Sequence, residues 1–172
     1  MKELQYPIGN FKAQDSYTRA ELDEFLQNLG DFPEELATVT SNITEEQLST
    51  AYRPGGWTAR QVIHHVADSH MNMLVRLKWT QTEETPHIKA YFEDRWAKEA
   101  DYQSPIDVSV NMIRSIHAKV VALLSSYSDD ELNKQYFHPE SKKLWNIKTV
   151  MALYAWHGQH HLAHIKICKG EW

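Results

Sequence analysis

The chain of 172 residues contains one cysteine, Cys168. An intramolecular disulfide is therefore impossible, and so are a CxxC redox motif and a thiolate-rich zinc site. No apolar stretch approaches the ~20 residues that a membrane-spanning helix needs. The opening residues, Met1-Lys2-Glu3-Leu4-Gln5-Tyr6-Pro7, have no apolar segment of the kind a secretory signal carries. There is also no run of Lys and Arg, and the formal net charge is −5 with the histidines neutral. That balance argues against nucleic acid as the main partner, because phosphate binding needs a basic surface. Repeats, low-complexity tracts and long linkers are missing too. The expectation is one domain over residues 1–172, cytoplasmic, with neither a membrane nor a nucleic acid as partner. Six Trp, eight Tyr and five Phe, with 42% hydrophobic and 24% charged residues, describe a globular chain with a sizeable core rather than a disordered one.

The residues that are present repeat with a helical period. Thr18 is followed three residues later by Glu21, Thr44 by Gln47, Thr58 by Gln61 and Ser128 by Glu131. Each pair fits a capping box, in which two side chains satisfy orphan amides at a helix start. The first long helix is expected over Thr18 to Thr40, with Leu22, Phe25, Leu26 and Leu29 as its apolar stripe and with Pro33 kinking or dividing it near Gly30. A short helical turn is expected over Thr44 to Leu48, and Pro54-Gly55-Gly56 is a break. The second long helix spans Thr58 to Thr80. The third spans Asp107 to Ser126, with Ile113, Ile116, Val120 and Leu124 facing inward. The last spans Ile147 to Lys169. Between the second and third lies a polar, aromatic stretch with a short helix around Asp94 to Glu99. Another short helix follows Ser128, and Tyr136 to Trp145 reads as a loop or small hairpin. The fold class is all-α: a four-helix bundle whose long connection between the second and third helices frees it from simple up-and-down order.

Seven of the ten histidines fall in two of these helices: His64, His65 and His70 in one, and His157, His160, His161 and His164 in the other. Residues four apart share a helix face, so His157 and His161 can point at one ion, and so can His160 and His164. The two pairs are rotated by roughly 300° and are close neighbours on the helical wheel. The spacing leaves both open. A catalytic zinc-type site commonly takes three protein ligands and keeps an open position. His65 offers the third ligand, on a polar stripe with Gln61, Asp68, Asn72 and Arg76. His87, His117 and His138 read as ordinary histidines without a special role. Tyr91, Phe92, Trp96 and Tyr136 either wall a pocket or, as the commoner outcome, pack in the core.

Several blocks together resemble the DinB/YfiT-like superfamily, and within it the YfiT group of metal-dependent hydrolases. They are Tyr6-Pro-Ile-Gly9, Tyr52-Arg53-Pro-Gly-Gly-Trp-Thr58-Ala-Arg60-Gln61-Val62, His64-His65-Val-Ala-Asp68-Ser-His70-Met-Asn72, Glu83-Glu-Thr-Pro86, Phe137-His138-Pro139 and Trp156-His157 through His164-Ile165. The resemblance covers the whole chain. It implies a four-helix bundle with a metal at one end, held by His65, His157 and His161. It further implies nickel or zinc as the metal and a homodimer as the assembly. One departure stands out: where many members follow the His-His pair with Arg-Gly-Gln, this chain has Leu162-Ala163-His164.

Three neutral imidazoles leave the ion's double charge uncompensated, which would push the pKa of a bound water towards about 7. The expected activity is hydrolysis of a small molecule, with Asp68 as candidate base or orienting group and Glu83 and Arg76 as weaker ones. The alternative is transfer of a low-molecular-weight thiol of the bacillithiol type to an electrophile. A structural metal without catalysis is the third possibility.

Overall fold

The computed structural model describes residues 2–172. Its helices are α1 (Lys2–Gln5), α2 (Arg19–Thr40), α3 (Glu45–Ser49), α4 (Ala59–Thr82), α5 (Glu93–Trp96), α6 (Ile106–Ser126), α7 (Asp129–Leu132) and α8 (Ile147–Lys169). A 3₁₀ turn over Ala100–Gln103 precedes α6, and a hairpin of β1 (Gln135–His138) and β2 (Lys143–Asn146) precedes α8. All four capping boxes form. The side chains of Thr18, Thr44, Thr58 and Ser128 each accept from the amide three residues on, and that residue's side chain returns the bond. At α8 the Asn146 side chain accepts from the Thr149 amide, and Gly170 ends the helix at φ 74°.

The long helices α2, α4, α6 and α8 form the bundle. The main packings are α2 and α4 each against α6 and α8. The diagonals of the bundle are therefore α2 with α4 and α6 with α8, while α4 and α6 stand side by side. The direction of each helix follows from two apolar clusters. One holds Leu22, Leu29, Met73, Leu77, Ile116, Val120, Met151 and Tyr154. The other holds Phe32, Leu36, Val62, Val66, Ile113, Leu162 and Ile165. Helices α2 and α8 run from the first cluster to the second, while α4 and α6 run from the second to the first. Because α4 and α6 are parallel neighbours, the chain must travel the length of the bundle between them, which is why that connection is long. No helix among the described residues is long and apolar enough to cross a membrane.

Pro33 does not divide α2. The helix is continuous, with Pro33 buried inside it. A proline there removes the amide that would bond the Leu29 carbonyl, normally a cost of ~3 kcal/mol. In this fold the carbonyl is taken by the ring Nδ1 of His117 on α6. Gly158 on α8 is needed for close approach: a Cβ there would stand 2.8 Å from the ring of Phe32.

Candidate metal centre

Between the two apolar clusters the bundle carries a layer of imidazoles. Helices α4 and α8 pack directly, and this brings His65 against the one-turn pair His157 and His161. One ligand atom from each lies within 4.8 Å of the others. Ring centroids are 5.5 Å apart for His65 and His157, 5.0 Å for His65 and His161, and 4.5 Å for His157 and His161. Burial holds all three rings neutral: His65 falls to about 4, helped by the nearby His164, and His157 and His161 lie well below the ordinary value. A neutral imidazole keeps the lone pair that a metal needs. Nδ1 of His65 is buried without a hydrogen-bond partner. An orphaned polar atom there costs about 1–3 kcal/mol unless something else satisfies it.

His160, His161 and His164 form a second group of the same compactness. All three come from a single helix. His160 is stacked on Trp156 at 4.5 Å, and His164 on Tyr52 at 3.9 Å. His164 Nδ1 lies 3.3 Å from His161 Nδ1. A bare Nε2 on His161 requires its proton on Nδ1, and His164 can accept that proton's hydrogen bond. His164, 2% exposed, thus offers His161 an acceptor from within the core.

His157 is supported in the same way by two histidines on other helices. His70 Nε2 lies 3.1 Å from His157 Nδ1, and His70 Nδ1 lies 2.7 Å from His117 Nε2. His117 Nδ1 meets the Leu29 carbonyl. That carbonyl can only accept, so His117 donates from Nδ1 and its Nε2 must accept. His70 then donates from Nδ1 and accepts at Nε2, and His157 donates from Nδ1. Burial lowers the pKa of His70 well below its ordinary value and that of His117 to about 4, so each ring carries one proton. The direction is fixed from the carbonyl outward, and Nε2 of His157 is left bare for a ligand. His117 is therefore not an ordinary helical histidine: it is 1% exposed and anchors this chain of bonds.

The remaining candidates divide. His64 is occupied on both sides, by Ser109 Oγ at 2.7 Å and the Ser104 carbonyl at 3.1 Å. Asp68 accepts a 2.7 Å bond from the Tyr102 hydroxyl, and burial raises its pKa. His87 is exposed beside Phe137, at a ring distance of 4.7 Å. Glu83 is an exposed residue at the end of α4. A cavity of about 440 Å³ is lined by His65, His157, His161, Trp57, Tyr91 and Arg76 among others; Asp68 is not part of that lining. Of the aromatic loop residues, Tyr91 walls the cavity, Tyr136 is core, and Phe92 is 66% exposed.

The family model of the DinB superfamily matches residues 14–165. The chain belongs to the DinB superfamily. Curated relatives from Bacillus mycoides and Bacillus cereus, both named "putative metal-dependent hydrolase", are 46% and 44% identical over 96% of this chain and 95% of their own. The solved structure of YfiT from Bacillus subtilis, described as "a probable metal-dependent hydrolase with an unusual four-helix bundle topology", superposes with a TM-score of 0.95 at 37% identity, covering 98% of this chain and 97% of that one. The mycothiol-dependent maleylpyruvate isomerase shares the fold, with a TM-score of 0.68 at 15% identity over 87% of this chain and 63% of that one.

In this DinB chain the buried imidazoles also set a pH dependence. His65, His117, His160 and His164 fall from an ordinary 6.5 to about 4 in the folded state. Below pH 6.5 the unfolded chain takes up protons that the folded chain refuses, so folding weakens as pH falls. The metal-free protein is expected to lose stability steeply between about pH 6.5 and 4 and to be insensitive to pH just above that window. Urea unfolding across pH 4 to 8 measures it; a flat profile below pH 6 would contradict neutral burial.

Proposed function

We propose that this chain is a metal-dependent hydrolase of small molecules, with one zinc or nickel ion held by His65, His157 and His161. The observation that carries the reading is the convergence of three neutral imidazoles, His65 and His161 buried and His157 half-buried, from two helices on the wall of one cavity. The donor set fits a borderline divalent ion: three imidazole nitrogens and no carboxylate or thiolate, with a ring nitrogen of His65 buried without a partner. An ion so held supplies Lewis acidity and, by acidifying water, a nucleophile at neutral pH. The protein's own residues hold the ring nitrogens bare, through His70 and His117 on one side and His164 on the other. They also enclose the reacting centre between Trp57 and Tyr91. The cavity volume suits a small molecule. Asp68 enters as a carboxylate engaged by Tyr102 one turn from His65, and its replacement by Asn should leave metal uptake intact.

The test has two parts. Native mass spectrometry should find one divalent ion per chain in protein prepared without chelators. Ester or amide hydrolysis should vanish on chelation and return with zinc or nickel. Absence of any bound ion would sink the reading. Turnover that appears only when a low-molecular-weight thiol is added would replace hydrolysis with thiol transfer.

A further inference from the structure

Arg76 lies on the same face of α4 as His65. Eleven residues make three helical turns and about 20° more, so the two side chains project in nearly one direction from backbone positions roughly 16 Å apart along the axis, and the long Arg76 side chain spans part of that distance to reach the Tyr154 hydroxyl. Both line the cavity described above. Arg76 is only 7% exposed. It makes no ion pair among the described residues. A terminal nitrogen reaches the Lys89 carbonyl at a long 3.4 Å, and Nε is buried with no partner.

The groups that bond it are neutral. Tyr136 and Tyr154 present phenols to the guanidinium, and burial keeps both protonated. His138, which also lines the cavity, is pushed down by burial and by the Arg76 charge. Glu93 and Glu140 belong to the lining as well, yet neither pairs with the arginine. A buried guanidinium without an anion is costly, because its hydration is lost and only neutral acceptors, the Lys89 carbonyl and the Tyr136 and Tyr154 hydroxyls, replace part of it. Its planar fork matches a carboxylate or phosphate in two parallel bonds.

We infer that Arg76 binds an anionic group, carboxylate or phosphate, at the end of the substrate remote from the reacting centre. The substrate is then an elongated small molecule with an anion at one end and the group to be attacked at the other. This assignment rests on the metal reading of the three histidines, since it is they that define the reacting end.

A series of ω-mercapto carboxylates of increasing chain length, each with its methyl ester, tests it on cobalt(II)-loaded protein. The thiolate takes the open metal position and is read from the sulfur-to-cobalt charge-transfer band, a signal independent of turnover. The ion's own charge favours the shortest acids. Arg76 instead predicts a preference for acid over ester that peaks at longer chains, at roughly ten- to a hundredfold, as expected of charge-assisted hydrogen bonds. Arg76→Met should abolish that peak, and Arg76→Lys should keep part of it. If Arg76→Met fails to fold, the chain-length profile of the wild type and of Arg76→Lys decides. Equal affinity of acids and esters at every longer length, with the band present, overturns the role of Arg76 and leaves the metal reading standing. A peak that survives in Arg76→Met does the same. Protein that takes up no cobalt overturns the metal reading, and this one with it.

Discussion

Alanine at His65, His157 or His161 is expected to weaken divalent metal binding by two to three orders of magnitude. A structural zinc site of four ligands is worth about 10–16 kcal/mol, or roughly 3–4 kcal/mol per ligand, which is a factor on the order of 10²–10³. The loss should be at the upper end here, because a three-nitrogen site has no carboxylate to make up charge. The two histidine groups make the pattern of losses informative. Only His161 belongs to both. If the ion sits between α4 and α8, alanine at His65 or His157 removes it, while alanine at His160 leaves affinity within a few-fold of wild type. If it sits on α8 alone, the roles reverse. Isothermal titration with zinc, against a competing chelator, separates the two. Retained affinity in both His65→Ala and His157→Ala would rule out the site proposed between the helices. The folded state should survive these changes better than most core truncations, since each deleted ring vacates a cavity wall and relieves crowding among neutral imidazoles.

Much of this arrangement is written in local patterns. The capping boxes at Thr18, Thr44, Thr58 and Ser128 place four helix starts to the residue, because a cap is a contact between positions three apart. The stripe of Gln61, His65, Asp68, Asn72 and Arg76 anticipates the polar wall of the cavity only in part: His65 and Arg76 line it, while Gln61 donates to the Ala97 carbonyl, Asp68 accepts from Tyr102 and Asn72 donates to the Asp68 carbonyl. The choice of His157 and His161 over His160 and His164 was not local: the two pairs are neighbours on one helix, and only the position of α4 distinguishes them. Pro33 misleads for a related reason. Its local effect is to break α2, and what rescues the helix is His117, which is 88 residues from Leu29 in sequence. A signal was available. His117 falls on the inward stripe of Ile113, Ile116 and Val120, and a polar ring on an apolar stripe needs a buried partner. A proline four residues after a buried leucine leaves one carbonyl in want of a donor. Each half of that pair can be read from sequence; their meeting depends on α2 packing against α6.

That meeting leads to the second large effect, expected for His117→Leu. The substitution strips the Leu29 carbonyl of its donor, and Pro33 has no amide to replace it. It also leaves the Nδ1 proton of His70 without an acceptor. Two buried polar groups left unmade cost about 2–5 kcal/mol together. The effect on metal binding is separate. With no acceptor on its far side, His70 can place its proton on either nitrogen, and His157 loses the constraint that keeps its own proton on Nδ1. Part of the population then presents a protonated Nε2 to the ion. Loss of an outer partner of a ligating histidine typically weakens metal affinity by about 10–100-fold. Nitrogen-15 shifts of the His157 ring in metal-free protein at neutral pH report the tautomer directly: a single Nδ1–H form in the wild type and a mixture in His117→Leu. His117→Gln is the control. Its amide can donate to Leu29 and its carbonyl can accept from His70, so the bond directions are preserved with a different group. Glutamine should recover most of the stability, the single tautomer and most of the affinity. If leucine lowers stability but leaves the His157 tautomer and the metal affinity unchanged, His117 serves packing alone. If glutamine restores all three, the ligand geometry of α8 is set by a carbonyl that a proline on α2 has set free.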